Sequence, residues 1–189
     1  MIRTGIFGGS FNPIHVGHIG LARQVIRQGL CDEVWLMVSP HNPLKEQADL
    51  LPEDVRLALA QKALEGETGI EASDFEFGLA SPSYTWKTLR ALRRTYPERA
   101  FSLIIGADNW LVFDRWAHHA ELLKRYPIII YPREGCPLNE PLPTGVQKLE
   151  APLFPASSTL IRQKVRAGES LCGLVPESII SEVEKLYKP

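Results

Sequence analysis

His15 and His18 stand three residues apart with Gly17 between them, inside the stretch Gly8-Gly9-Ser10-Phe11-Asn12-Pro13-Ile14-His15-Val16-Gly17-His18. On a helix, or in its first turn, that spacing points both imidazoles the same way. Two convergent N–H donors, bare glycines and the amides of a helix start all suit an anion, phosphate above all. The histidine pair taken alone also fits a metal pair or a surface accident. Gly17, lacking a side chain, would leave the backbone between them open to a ligand.

Three further clusters could contribute. Ser157-Ser158-Thr159-Leu160-Ile161-Arg162 puts hydroxyls and helix-start amides one turn from a guanidinium, a combination able to hold a polyphosphate; it also reads as a Ser-rich cap with an exposed Arg162. Lys45 ends the Pro-rich run Pro40-His41-Asn42-Pro43-Leu44-Lys45, which cannot be helical. It is either a cation brought to a strand end or a solvated loop lysine. Gly106-Ala107-Asp108 ends an apolar run on a glycine and a carboxylate.

The elements that must position these groups alternate between strand and helix patterns. Ile2 to Phe7 is apolar and leads through the glycine loop to Ile19–Gln28, whose Leu21, Ala22, Val25 and Ile26 make one stripe ending at Gly29. Glu33 to Ser39 is a continuous apolar run of the kind a doubly covered parallel strand shows. A helix follows from Pro52 to Gly66. Ile70 to Phe77 reads as an edge strand whose Glu71, Asp74 and Glu76 line a wet face. Pro82-Ser83-Tyr84-Thr85 opens a third helix, with Ser83 or Thr85 as its N-cap. Phe101–Ile105 and Tyr126–Tyr131 are two more strands, one short strand is expected near Val146–Leu149, and Glu177–Tyr187 is a final amphipathic helix.

This is the grammar of a Rossmann-like α/β fold: a doubly wound, mainly parallel sheet of core order 3-2-1-4-5 with helices on both faces and a C-terminal helical segment. In that order the strands ending at Gly8 and at Gly106 are neighbours whose helices leave to opposite faces, so both motifs would line one crevice. The 189 residues are read as a single domain, with 1–155 the α/β core and 156–189 a phosphate-binding helix and a closing helix.

Composition narrows the partners. A formal net charge of −1 supplies no global field for nucleic acid, so any phosphate site must be local. Cys31, Cys136 and Cys172 lack any C-x-x-C pairing and point to reduced thiols rather than a disulfide frame or zinc site. No apolar run approaches the ~20 residues of a membrane span, and no secretory leader is visible, so a cytoplasmic protein is expected. Neither G-x-G-x-x-G nor a Walker loop is present, which removes dehydrogenase and P-loop NTPase readings.

The first motif resembles the Gly-Gly-Thr-Phe-Asp-Pro-x-His-x-Gly-His signature of the nucleotidyltransferase superfamily, and the whole chain resembles the bacterial nicotinate-mononucleotide adenylyltransferases. Ser10 and Asn12 stand where that family more often has Thr and Asp, and Leu44 where many members have His. The resemblance implies adenylyl transfer from ATP to nicotinate mononucleotide, giving nicotinate adenine dinucleotide and pyrophosphate. It implies ATP contacts from Gly8, Gly9, Ser10, Phe11, His15, His18, Gly106, Asp108, Ser157, Ser158, Thr159 and Arg162. Lys45, Thr85 and Trp116 would hold the mononucleotide, Trp116 by stacking on its ring. His15, His18, Lys45 and Arg162 would be the catalytic set. Mg²⁺ would bridge the ATP phosphates with few or no protein ligands. Nicotinamide-mononucleotide or pantetheine-phosphate adenylyl transfer, or a non-catalytic nucleotide-binding module, are the alternatives; a class I aminoacyl-tRNA synthetase is set aside for want of a Lys-Met-Ser-Lys loop and a basic face. Oligomeric state is open.

Overall fold

The structure is a computed structural model that describes residues 1–40 and 49–188. Its strands are β1 (Ile2–Gly9), β2 (Glu33–Val38), β3 (Ile70–Ser73), β4 (Arg99–Gly106), β5 (Ile128–Tyr131) and β6 (Val146–Lys148). They form one sheet in the order β3-β2-β1-β4-β5-β6, with every pair parallel. The expected core order is present, and the short extra strand extends it at the β5 edge. The helices are α1 (Val16–Arg27), α2 (Glu53–Ala63), α3 (Thr85–Thr95), α4 (Ala107–Trp110), α5 (His119–Arg125), α6 (Ser158–Ala167) and α7 (Ile180–Tyr187).

Alternation along the strands builds two cores, because successive side chains leave a strand on opposite faces. Phe7, Leu36, Ile104 and Ile129 pack with Ala22 and Val25 of α1, Leu59 of α2, Ile161 of α6 and Val183 of α7. Their strand neighbours Ile6, Met37, Leu103 and Ile130 pack on the other face with Leu89 and Leu92 of α3 and Leu122 of α5. Helices therefore cover both faces, and α6 and α7 share a core with α1.

β1 is longer than its apolar run, carrying both glycines in register with Met37 and Val38 of β2. α1 begins at Val16, three residues before the expected start at Ile19, because His15 caps it. β3 is indeed at the sheet edge, but it ends at Ser73; Phe75–Gly78 form a 3₁₀ turn. At three residues per turn the alternation of a strand is lost. Glu76 consequently does not face water: it is only 8% exposed. α3 also departs from expectation. Its N-cap is Tyr84 with no side-chain cap bond, so neither Ser83 nor Thr85 caps it.

Candidate functional site

The loop after β1 is held in an unusual shape. Phe11 adopts φ 45°, a left-handed conformation rare for a bulky residue and worth about 1–3 kcal/mol of strain. Its ring is buried against Gly9, where a Cβ would lie 3.1 Å from the ring. Asn12 ties the loop to two distant segments. Its Nδ2 donates to the Asp49 carbonyl (2.8 Å), while its Oδ1 accepts from Leu51 N (3.2 Å) and from the Tyr187 hydroxyl (2.6 Å).

The two imidazoles cap α1 jointly. His15 Nδ1 accepts from the Gly17 amide at 3.1 Å, and His18 Nδ1 accepts from the His15 amide at 3.2 Å. The rings stack with centroids 3.6 Å apart. Since each Nδ1 is an acceptor, Nε2 carries the proton in both neutral rings. Burial, helped by the nearby Arg133 charge, pushes His15 down to about 3, so it is a neutral donor at physiological pH. His18 meets the ring edges or faces of Phe7 and Phe11 at 5.9 and 4.9 Å.

Two expectations about this helix start need correction. The α1 amides do not await an anion: Val16 N donates to Leu174 O, Gly17 N to His15 Nδ1, and His18 N to His15 O. Gly17 is not an open approach to the backbone either. It is buried, and a Cβ there would lie 2.9 Å from the His15 ring, so its bareness makes room for the imidazole.

α6 is brought to the same loop from the far end of the chain. Ser158 Oγ donates to the Pro13 carbonyl (2.9 Å) and Arg162 Nη1 to the Asn12 carbonyl (2.7 Å). Arg162 Nη2 also reaches Thr159 Oγ1 at 3.4 Å. Ser157 is the N-cap, accepting from Leu160 N at 3.1 Å. The Ser158 and Thr159 amides precede that bond and belong to the helix-start donors that the helix itself cannot satisfy. Here, unlike at α1, a helix N-terminus presents amides, hydroxyls and a guanidinium together.

The other side of the loop opens on a cavity of about 520 Å³ at the carboxyl ends of β1, β2 and β4. Gly8, Gly9 and Ser10 line it, as do Thr85 at the start of α3 and Trp116. Phe11, His15, His18, Gly106, Asp108, Ser157–Thr159 and Arg162 do not. The site thus has two halves, cavity and α1/α6 cradle, sharing residues 8–18. Asp108 sits just beyond β4 and pairs with Arg133 at 3.6 Å; Asn109, not Asp108, reaches the cavity wall. Lys45 lies outside the described residues.

Several residues went unnoticed in the sequence. Arg56, 1% exposed, donates to the carbonyls of Ser10 (2.6 Å), Ser39 (2.9 Å) and Leu51 (2.8 Å), pinning the ends of β1 and β2 together. Nothing in its helical spacing marks it, because its partners are backbone atoms. Tyr131 and Glu76 line the cavity, and both read as ordinary strand residues. Cys31 is buried, its thiol pushed up to about 11 by burial, and all three cysteines are free. Among the described residues no three His, Cys, Asp or Glu side chains gather as a metal site, and no helix is long and apolar enough to cross a membrane.

Comparison with known proteins fits this geometry. The cytidylyltransferase-like family model matches residues 6–164. A probable nicotinate-nucleotide adenylyltransferase of Bacteroides fragilis is 49% identical over 170 residues, covering 89% of this chain and 85% of the relative. Its counterpart in Bacteroides thetaiotaomicron is 52% identical over 163 residues, covering 86% and 81%. Among solved structures, Plasmodium falciparum nicotinic acid mononucleotide adenylyltransferase complexed with NaAD superposes with a TM-score of 0.80 at 17% identity, covering 99% of this chain and 98% of that one. A putative nicotinate-nucleotide adenylyltransferase from Vibrio parahaemolyticus gives 0.72 at 21% identity, covering 100% and 96%; at such identities these two superpositions speak for the fold. With a doubly wound sheet, a glycine and histidine loop at its switch point and relatives of this similarity over most of its length, the chain belongs to the cytidylyltransferase-like family, among the nicotinate-nucleotide adenylyltransferases.

Proposed function

We propose that the protein transfers the adenylyl group of ATP to nicotinate mononucleotide, releasing pyrophosphate and forming nicotinate adenine dinucleotide, a step of NAD biosynthesis. One observation carries this reading: a single loop, residues 8–18, borders both a cavity with room for a mononucleotide and a cradle with donors for a triphosphate. The reacting atoms of the two substrates then meet at that loop.

The nucleophile is a phosphate with a second pKa of ~6, already mostly a dianion near neutrality, so no general base is needed. Catalysis is positioning and charge neutralisation along an in-line displacement. His15 and His18 donate through Nε2 to the α-phosphoryl and bridging oxygens; a neutral His15 fits a donor whose task is orientation. Ser157, Ser158, Thr159 and Arg162 hold the β- and γ-phosphates, and Lys45 the transferring phosphate. Gly8, Gly9, Ser10 and Phe11 shape the path between the halves, with Gly106 and Asp108 beside the nucleoside. In the cavity, Thr85 and the amides of the uncapped α3 start receive the nicotinate carboxylate while Trp116 stacks on the ring. Mg²⁺ would supply charge neutralisation on the triphosphate, brought in with the nucleotide and held by few or no protein ligands. The chain works as one cytoplasmic domain, residues 156–189 closing on the 1–155 core, without nucleic acid or membrane partners.

The test is pyrophosphate release from ATP with nicotinate or nicotinamide mononucleotide as acceptor. Nicotinate should be turned over with the higher kcat/KM, and His18→Ala should lose ~10² or more in turnover, the order seen when a preorganised donor is removed. Absence of release with both acceptors overturns the assignment, and an unaffected His18→Ala removes His18 from the mechanism.

A further inference from the structure

Glu76 is a buried carboxylate in the cavity wall, and the reaction as derived does not use it. Among the described residues its partners are hydroxyls. Thr88 Oγ1 donates to Oε1 at 2.6 Å and Ser83 Oγ to Oε2 at 3.4 Å, and the Ser39 hydroxyl bonds it as well. These hydroxyls come from three places: the end of β2, the approach to α3 and the second turn of α3. Between Ser83 and Thr88 lie Tyr84 and Thr85, which line the same cavity as Trp116.

An acceptor-only group is what such a junction needs. An ionised carboxylate offers about four lone-pair sites on two oxygens, whereas an amide of the same shape offers one acceptor oxygen and an NH₂ that pairs with a hydroxyl only if that hydroxyl turns from donating to accepting. Without the Glu76 acceptor the buried Thr88 hydroxyl keeps only its 3.4 Å contact to the Tyr84 carbonyl inside α3, and the half-buried Ser39 and Ser83 hydroxyls lose the group that ties the α3 start to β2. Resting on the function proposed above, we propose that Glu76 is a positioning residue for the mononucleotide: by gathering Ser39, Ser83 and Thr88 it holds the uncapped first turn of α3, and Thr85 with it, where the pyridine carboxylate must bind. Glu76 touches no reacting atom in this scheme. It acts through the turn that it anchors.

Glu76→Gln keeps the shape and tests the point. Calorimetric binding of nicotinate mononucleotide to the full chain should weaken about tenfold in Glu76→Gln, the size expected for one or two lost hydrogen bonds. KM for ATP and kcat should stay within about threefold. Thr88→Val should weaken mononucleotide binding similarly, and the Glu76→Gln/Thr88→Val pair should lose less than the product of the two, because they break one network. A merely structural role would lower Tm and raise both KM values together, and that outcome overturns the proposal, as does unchanged mononucleotide binding in Glu76→Gln. A wild-type chain that turns over nicotinate mononucleotide while Glu76→Gln binds it normally overturns this inference alone; a wild-type chain that does not bind the mononucleotide overturns the proposed function and this inference with it.

Discussion

The Arg162 guanidinium donates to the backbone carbonyl of Asn12 at 2.7 Å across 150 residues of sequence. This bond joins the two motifs whose chemistry is complementary: a loop that ends in paired imidazoles and a helix start that presents amides, hydroxyls and a cation. A structure with the two facing separate surfaces would have dissolved the case for one polyphosphate site.

Asn12 is the hinge of that junction, and it uses both ends of its amide. It is 5% exposed, donating through Nδ2 to Asp49 O and accepting at Oδ1 from Tyr187 and Leu51. Asn12→Asp would set an oxygen against the Asp49 carbonyl in place of a donor. The expected cost is about 1–3 kcal/mol, the penalty for a buried polar group left unsatisfied, read as a lower urea midpoint at constant m. An unchanged midpoint would mean that the Asn12 amide bond to Asp49 contributes nothing.

Gly17→Ala should damage turnover more than stability. The added methyl would sit 2.9 Å from the His15 ring and 3.2 Å from Phe154 Cβ, forcing the imidazole off its bond to the Gly17 amide. Steady-state assay should show a loss of roughly tenfold or more in kcat, in keeping with a displaced donor. Gly20→Ala is the control. Its methyl would meet the outer end of the Phe154 ring instead, so it should lower Tm while leaving kcat near wild type.

Stability should fall as pH drops below neutrality, through His15. Burial holds its folded pKa near about 3, against an ordinary value of 6.5. Between those two values the unfolded chain takes up a proton that the folded chain refuses, so the contribution is fully present above the unfolded pKa and is lost as pH falls. The slope approaches about 1.4 kcal/mol per pH unit for one proton. His15→Asn keeps an N-cap acceptor and removes the titrating ring. Urea unfolding at about pH 7 and about pH 5 should show a larger drop for wild type than for His15→Asn; equal drops would contradict a buried neutral imidazole.

The alternation of short apolar runs with helical stripes was enough to predict a doubly wound parallel sheet and its core order, because hydrophobic period and right-handed crossovers leave few topologies. The histidine loop and the Ser157–Arg162 motif were legible too, since both rest on residues adjacent in sequence. Tertiary structure decided what those residues do. Only packing shows that the α1 amides are consumed internally, that Gly17 is bare for the sake of His15, and that Glu76 turns inward through a 3₁₀ turn that a strand pattern disguises. Arg56 and Tyr187 belong to the same class, holding the site through backbone carbonyls and one amide side chain far away in sequence. Periodicity reports which side chains leave water; it carries no record of which distant polar atom a buried donor will meet, and that pairing is settled only when the chain closes on itself.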